Sequence, residues 1–271
     1  MFDAEYRSSI LESLTKVTTL REKVDAMKDT AKGQHCLVLA CGPSLTTVEK
    51  EKLRKFAQDK IVISVKQAYE YLPEYTDFLI LNTWNYQKYD FSLGRPVVIY
   101  EHGPSDPPVY GEHDLEFQVP VVSDPSEQLA RSLDFDRYLF EKQIERPWGP
   151  GVLYEVGFYL AVHLGVSQIT TIGWDVGAKS SSVMPHFYDV PSAHRTRSLA
   201  KARHIPDKRS RNSFLHSAGV LYNKPRIIPE EVEVCAGASG PFFDWFQGKG
   251  IGLEAVTNSE LISDRIPRVT L

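Results

Sequence analysis

The sequence predicts an α/β fold in which helices cover both faces of a mostly parallel sheet. Apolar runs of strand length occur at 36–41, 60–65, 77–82 and 95–101, and their lack of polar alternation is typical of strands covered on both faces. Helical patterns between these runs indicate repeated βαβ units. A chain of 271 residues with 42% hydrophobic content has enough apolar material for one large core.

The N-terminal segment, residues 1–31, is predicted to be an amphipathic helix that precedes one domain over residues 32–271. Its apolar positions recur at spacings of three or four residues, which is a coiled-coil-like pattern. The seam consists of Ile10, Leu14, Val17, Leu20, Val24 and Met27. Three interpretations stay open: packing on its own domain, pairing with a second copy of the chain, and lying on a membrane surface.

A Gly-Pro-Ser-Leu turn follows the first apolar run, in the stretch "HCLVLACGPSLTTVEKEKL". Ligands bind at the carboxyl edge of a parallel sheet, where helix N-termini present free N–H groups. We expect Thr46 and Thr47 to cap a helix that runs to about Phe56. A second glycine turn opens a later apolar helix, so two helix N-termini would suit a phosphate-bearing ligand. The candidate binding residues are Gly42, Pro43, Ser44, Gly149, Pro150 and Gly151.

The middle of the chain is predicted to hold an irregular segment over 102–126, a helix over 126–144 and a strand over 168–175. Asp134 and Asp136 form a D-x-D pair inside the predicted helix. Such a pair holds a metal on a nucleotide diphosphate in some enzymes, but on a helix it is more typical of solvated surface charge.

The last third is predicted to begin with a mobile lid over 178–212, which is Ser-rich at first and then basic. A helix over 213–222 and a strand over 231–236 would complete the sheet. Residues 241–271 are expected to be irregular. The lid would either close over a nucleotide, attract an acidic acceptor, or serve only as a solvated loop.

Composition excludes several classes of protein. A formal charge of −4 gives no general attraction to nucleic acid or to an anionic membrane. The three cysteines, Cys36, Cys41 and Cys235, lack metal spacing and indicate a reducing, cytoplasmic location. No run approaches the roughly 18 apolar residues of a membrane span. The G-x-G-x-x-G and Walker lysine motifs are absent, which disfavours NAD enzymes and P-loop NTPases.

Three polar residues are candidates for chemistry. Asn82 ends a predicted strand, where its amide would bond a sugar or nucleotide, or else cap its own backbone. His186 and His216 are the histidines best placed to exchange protons near neutral pH. The structural or surface interpretation is preferred for His35, His102, His113 and His163.

Taken in order, these motifs resemble the sialyltransferase superfamily of glycosyltransferases. "LACGPSL" is similar to the opening strand and "GNGPSL" turn of the bacterial enzymes, and "LILNTW" to their next strand. "GPGVLYEVGFYLAVHLGVSQITTIGWD" resembles their Ser-Gly-Val helix and the strand that ends in Gly-x-Asp. "HFYD" and "LHSAG" are similar to the family's last histidine motifs. The resemblance spans roughly residues 34–236.

The resemblance implies a Rossmann-like fold and an enzyme that takes sugar from a CMP-activated donor, without a metal or other cofactor. It places nucleotide contacts at Lys66 and Gln67, because "SVKQAYEYL" falls where the family carries a Cys-Asn-Gln stretch. It places a further contact at Asn82, in "LILNTW". His216 would be the general base. His186 and Tyr188 would lie beside the leaving phosphate, and in a retaining reaction Asp175 or Glu101 would be the attacking carboxylate.

Departures from the family pattern leave the donor sugar open between sialic acid and Kdo. Cys41, Lys66 and the pair Gly149-Pro150 replace the residues that the family carries there. The implied partners are a nucleotide sugar and a glycan or glycolipid acceptor, as in polysaccharide or lipopolysaccharide synthesis, and not nucleic acid. The alternatives are a pterin pyrophosphokinase-like enzyme, since related proteins share the GPSL strand, and a non-catalytic protein that binds nucleotides or glycans.

Overall fold

The computed structural model describes residues 4–82, 89–102, 112–118, 133–142, 153–176, 198–217 and 229–271. They form a seven-stranded parallel sheet with strand order β5-β4-β3-β2-β1-β6-β7. The α/β prediction is confirmed at this level. The strands are β1 (His35–Leu39), β2 (Ile61–Val65), β3 (Phe78–Asn82), β4 (Val97–His102), β5 (Leu115–Gln118), β6 (Gln168–Ile172) and β7 (Gly252–Val256).

Six helices of eight residues or more accompany the sheet in the described part of the chain. They are α1 (Ala4–Thr15), α2 (Leu20–Met27), α3 (Lys50–Ala57), α4 (Leu153–His163), α5 (Lys208–Ser217) and α6 (Pro229–Gly248). Short 3₁₀ helices follow β1 at Pro43–Thr47 and β2 at Lys66–Tyr71. None of these helices is both long enough and apolar enough to cross a bilayer.

The order of the strands defines a switch point. From β1 the chain builds outward through β2 to β5, and it then returns to place β6 on the other side of β1. Leu39 of β1 pairs with Ser64 of β2 and with Ile172 of β6, so the carboxyl ends of these three strands are level. Connections leave this edge in opposite directions, which opens the crevice where α/β proteins bind ligands.

The central strands are buried on both faces, which explains their continuous apolar character. On one face, α4 packs on the sheet with Gly157 over Val38 and Ile63, where a Cβ would be in ordinary van der Waals contact at 3.4 and 3.5 Å. On the other face, Leu53 of α3 packs in the cluster that contains Leu37 and Leu39.

The N-terminal segment forms two helices where one was predicted. Thr19 begins α2 with a capping box, in which its side chain accepts the Glu22 N–H and the Glu22 carboxylate accepts the Thr19 N–H. The buried seam residues belong to the main core. They are Ile10, Leu14, Val24 and Met27. The seam therefore packs on its own domain, as one of the three interpretations has it, and association with a second copy stays a prediction.

Helix α3 begins at Lys50, so the prediction that Thr46 or Thr47 caps it was wrong. Both threonines lie in the tight 3₁₀ helix Pro43–Thr47. The Thr46 hydroxyl donates to the Pro43 carbonyl at 2.9 Å, and the Thr47 hydroxyl to the Ser44 carbonyl at 2.8 Å. These local bonds compete with capping geometry and hold the turn in its tighter form.

Five further predictions of secondary structure were wrong. The stretch 231–236 lies inside α6, where Cys235, Ala238, Phe242 and Phe246 are buried at helical spacing. Strand β7 lies in the tail that was predicted to be irregular, and β5 lies inside 102–126. The end of the predicted lid is helical, over 198–202 and in α5. The described part of the helix predicted over 126–144 forms two 3₁₀ helices, Phe135–Tyr138 and Phe140–Lys142.

Candidate functional site at the switch point

The Gly-Pro-Ser-Leu turn after β1 is bonded to the segment that follows β6. The Gly42 N–H donates to the Gly173 carbonyl at 2.8 Å, and the Gly173 N–H donates to the Ser44 hydroxyl at 3.0 Å. The Ser44 N–H donates to Oδ2 of Asp175 at 2.8 Å. These three bonds join the two chain segments that flank the switch point, so the turn holds Asp175.

The two glycines permit this close approach. A Cβ at Gly42 would lie 2.3 Å from Oδ2 of Asp175 and 2.4 Å from the Gly173 carbonyl oxygen. Gly173 has φ +81°, and a Cβ there would lie 2.2 Å from the Ala40 carbonyl oxygen. The sequence therefore needs glycine at both positions to pack the turn, whatever ligand binds at this edge.

Asp175 is a buried carboxylate with donors on both oxygens. Besides the Ser44 N–H on Oδ2, the Thr257 hydroxyl donates to Oδ1. The backbone carbonyl of Asp175 accepts the Ser259 hydroxyl at 2.7 Å. Only 5% of Asp175 is exposed. Because it accepts hydrogen bonds on both oxygens, the Asp175 side chain is held in place at the start of the 3₁₀ helix.

The observed hydrogen bonds of the turn differ from the phosphate contacts that were expected for it. We expected helix N–H groups at Gly42 to face a phosphate, but the N–H groups of Gly42 and Ser44 donate to Gly173 and Asp175. Pro43 has no N–H. Other groups at this edge must therefore contact an anion that binds beside this turn.

Lys66 is such a group. It follows β2 directly, and no hydrogen bond or ion pair joins its ammonium to the part of the chain that the structure describes. Its backbone is left-handed, with φ 52°, which is uncommon for a residue with a side chain. Strain of this kind costs on the order of 1 kcal/mol or more and is often found at binding sites.

Cys41 lies beside Lys66 at the end of β1. Its thiol donates to the Val65 carbonyl at 3.2 Å and approaches Oε1 of Gln67 at 3.9 Å. Burial raises the pKa of Cys41 to about 11, although the nearby charge of Lys66 acts in the opposite direction. The thiol is therefore protonated near neutral pH and is not a nucleophile.

The remaining predicted site residues are only partly placed. Asn82 ends β3, two residues beyond Ile80, which pairs with Val65 of β2. His216 lies in the last turn of α5, and its side chain is outside the described part. Val176, directly after Asp175, is left-handed with φ 58°. Gly149, Pro150, Gly151, His186 and Tyr188 lie outside the described residues.

The sequence analysis missed Thr257 and Ser259, which follow β7 and hold Asp175. Their signal was present as a Thr-x-Ser pair just after an apolar run bounded by glycine, in "GIGLEAVTNS". Because that segment was taken as irregular, its hydroxyl groups were not placed at the carboxyl edge.

No group of three potential metal ligands occurs among the residues that the structure describes. In the D-x-D pair, Asp134 begins a 3₁₀ helix, and Asp136 forms an ion pair with Lys249 at 2.9 Å and accepts the Trp245 indole N–H at 3.2 Å. The pair therefore has the contacts of surface charge.

A separate cavity of about 400 Å³ lies between α6 and the C-terminal segment. Gly237, Gly240 and Pro241 of α6 line one side, and residues 260–265 line the other. The cavity contains none of the switch-point residues described above, although its wall begins one residue after Ser259.

No model of a protein family matches the chain. No curated protein matches it either. The motif resemblance and the geometry of the switch point are therefore the basis for assigning a function.

Proposed function

We propose that this protein is a glycosyltransferase that moves a sialic-acid-like or Kdo-like sugar from a CMP-activated donor to a hydroxyl of a glycan acceptor. The observation that carries the proposal is Lys66, a left-handed, partly exposed lysine at the carboxyl edge, one strand away from the switch point. Its ammonium has no ion pair among the residues that the structure describes. The order of the motifs around it supports the choice of donor.

The charge of Lys66 suits a phosphate of the donor. Lys66 is partly exposed. A cation at the ligand-binding edge of a parallel sheet attracts anions, and ammonium groups bind phosphate as point charges. The neighbouring N–H groups of Gly42 and Ser44 are already donated within the protein. In this proposal Lys66 therefore takes the place of a helix N-terminus as the phosphate contact.

The chemistry of a CMP-linked keto-sugar makes limited demands. Its leaving group is a phosphate monoester, so the enzyme must stabilise that phosphate and remove the proton of the acceptor hydroxyl. Lys66 would stabilise the phosphate, together with His186 and Tyr188. His216 would be the base. No metal is needed to hold a diphosphate, and the donor is a substrate and not a cofactor.

The contacts of Asp175 favour a single inverting displacement. A retaining reaction needs a free carboxylate to attack the sugar first. Both oxygens of Asp175 accept hydrogen bonds within the protein, and the residue is buried. Asp175 is therefore assigned a structural part in this proposal, and Glu101 at the end of β4 is the carboxylate that a retaining mechanism would use.

Nucleotide binding to Lys66 variants tests the proposal. Lys66→Asn removes the charge and tolerates a left-handed backbone, whereas Lys66→Arg keeps the charge. CMP should raise the melting temperature of the wild type, since a hundredfold excess over Kd stabilises by about 2.7 kcal/mol. Its Kd should rise about tenfold or more in Lys66→Asn, and much less in Lys66→Arg. Equal CMP affinity in all three proteins would remove Lys66 from the site.

Turnover separates the proposal from its alternatives. The wild type should release CMP from CMP-sialic acid or CMP-Kdo, and faster when a glycan acceptor is present. CMP binding without turnover of either donor would favour a non-catalytic nucleotide-binding protein. If ATP and a pterin stabilise the protein and cytidine nucleotides do not, a pyrophosphokinase-like activity replaces the proposal.

A further inference from the structure

The segment after β7 is bonded to the switch point through Asp175. Thr257 donates its hydroxyl to Oδ1 of Asp175, and Ser259 donates to the Asp175 carbonyl at 2.7 Å. The Thr257 hydroxyl also accepts the Ser259 N–H at 3.0 Å, which fixes the two residues relative to each other. We call Ser44, Gly173, Asp175, Thr257 and Ser259 the clasp.

The clasp connects three chain segments through one carboxylate. Oδ2 of Asp175 faces the turn after β1, Oδ1 faces the segment after β7, and the residue itself follows β6. Since a buried carboxylate needs donors on its oxygens, the two bonds depend on each other. Loss of the Thr257 hydroxyl would leave Oδ1 without its described donor. The side chain of Asp175 would then be free to rotate, which would weaken its bond with the Ser44 N–H.

The exposed side of the turn is the part that would contact a ligand. Ser44 and Leu45 are buried, whereas Cys41 and Pro43 are partly exposed, and Cys41 lies beside Lys66. The bond between the Ser44 N–H and Asp175 therefore fixes the positions of Pro43 and Cys41 next to Lys66. Movement at Thr257 would reach this surface through Asp175.

We infer that Thr257 is a positioning residue for the nucleotide site, acting through Asp175 to hold the Gly-Pro-Ser-Leu turn against Lys66. This inference rests on the proposed function, because it takes the nucleotide to bind at this edge. Ser259 has the same part through the Asp175 carbonyl. The C-terminal segment thereby controls affinity at a site that it does not line.

Thr257→Val tests the inference, because valine keeps the shape of threonine and removes only the hydroxyl. Thr257→Ser is the matched control, since it keeps the hydroxyl and loses a methyl group. Amide hydrogen exchange measured by NMR without ligand should speed up at Ser44 and Gly42 in Thr257→Val and stay near wild type in Thr257→Ser. The Kd of CMP should rise about tenfold in Thr257→Val and recover in Thr257→Ser.

The two measurements separate the failure of the inference from that of the proposed function. Unchanged exchange at Ser44 in Thr257→Val would overturn the clasp. Faster exchange with unchanged CMP affinity would overturn the positioning assignment. A wild type that binds no CMP would overturn the proposed function and the link to a nucleotide, while the exchange data would still decide whether the clasp holds the turn. If Thr257→Val does not fold, Ser259→Ala gives the same comparison.

Discussion

Asp77 is a buried acid whose protonation should make stability depend on pH near neutrality. It precedes β3 at the amino edge of the sheet, with 3% of its surface exposed. Oδ2 accepts the Val62 N–H at 2.9 Å, and Nε of Arg7 is 4.0 Å from Oδ1. Burial raises the pKa of Asp77 from 3.8 to about 7, and these two contacts offset only part of that rise.

The sign follows from which state holds the proton. Between pH 4 and pH 7 the folded protein keeps Asp77 protonated, whereas the unfolded chain has released the proton. Stability from this residue is therefore full at low pH and is lost as the pH rises through about 7. At about 1.4 kcal/mol for each pK unit, the loss between pH 5 and pH 8 is about 2.5 kcal/mol.

Asp77→Asn should remove this dependence. Asparagine stays neutral and can still accept the Val62 N–H, so the variant should gain on the wild type as the pH rises. Urea unfolding at pH 5, 6, 7 and 8 measures the difference. Asp264→Asn, which removes the same charge from an exposed position, controls for net charge. Parallel pH curves for wild type and Asp77→Asn would mean that folded Asp77 is ionised throughout, with Arg7 as an effective partner.

Two further predictions concern the switch point. Gly42→Ala should destabilise the protein by about 1–3 kcal/mol, because its Cβ would lie 2.3 Å from Oδ2 of Asp175. The control Gly237→Ala should be neutral or slightly stabilising, because a Cβ there meets nothing within 4 Å. Similar denaturation midpoints for the two variants would contradict this prediction. His216→Ala should lower kcat for sugar transfer by roughly 10² to 10⁴ with little change in CMP affinity, whereas exposed His204→Ala should leave both unchanged. Full transfer activity in His216→Ala would place the base elsewhere.

The sheet centre was predictable because burial on both faces leaves a simple pattern. Strands β1 to β4 lie in mostly apolar runs of the sequence. These strands and β6 each begin within two residues of the predicted start. The edge strands were missed for the same reason. In β7 the burial alternates, with Leu253 and Ala255 buried and Gly252 and Glu254 partly exposed, and glycines at 248, 250 and 252 obscure the run.

The error at 231–236 shows how a strand pattern can be embedded in a helix. "EVEVCA" alternates polar and apolar residues, which predicts a strand when it is taken alone. The helical period becomes visible only over a longer window, since Cys235, Ala238, Phe242 and Phe246 lie on one face. A proline usually interrupts a helix, yet Pro241 lies inside α6. Packing of Phe242 against Phe158 and Phe246 outweighs the hydrogen bond that proline removes.

The position of the Gly-Pro-Ser-Leu turn at the carboxyl edge was predictable from the sequence, but its hydrogen bonds were not. A glycine turn after a buried strand indicated the carboxyl edge, and Gly-x-Asp after a later strand indicated a second element there. That the two elements bind each other depends on β6 lying beside β1, a long-range pairing that no local pattern specifies. Once they are adjacent, the side chain of Asp175 accepts the Ser44 N–H, and a Cβ at Gly42 would collide with it. The same side chain therefore explains why the turn needs glycine at this position and why, in the proposed function, the phosphate contact is assigned to Lys66 and not to the N–H groups of the turn.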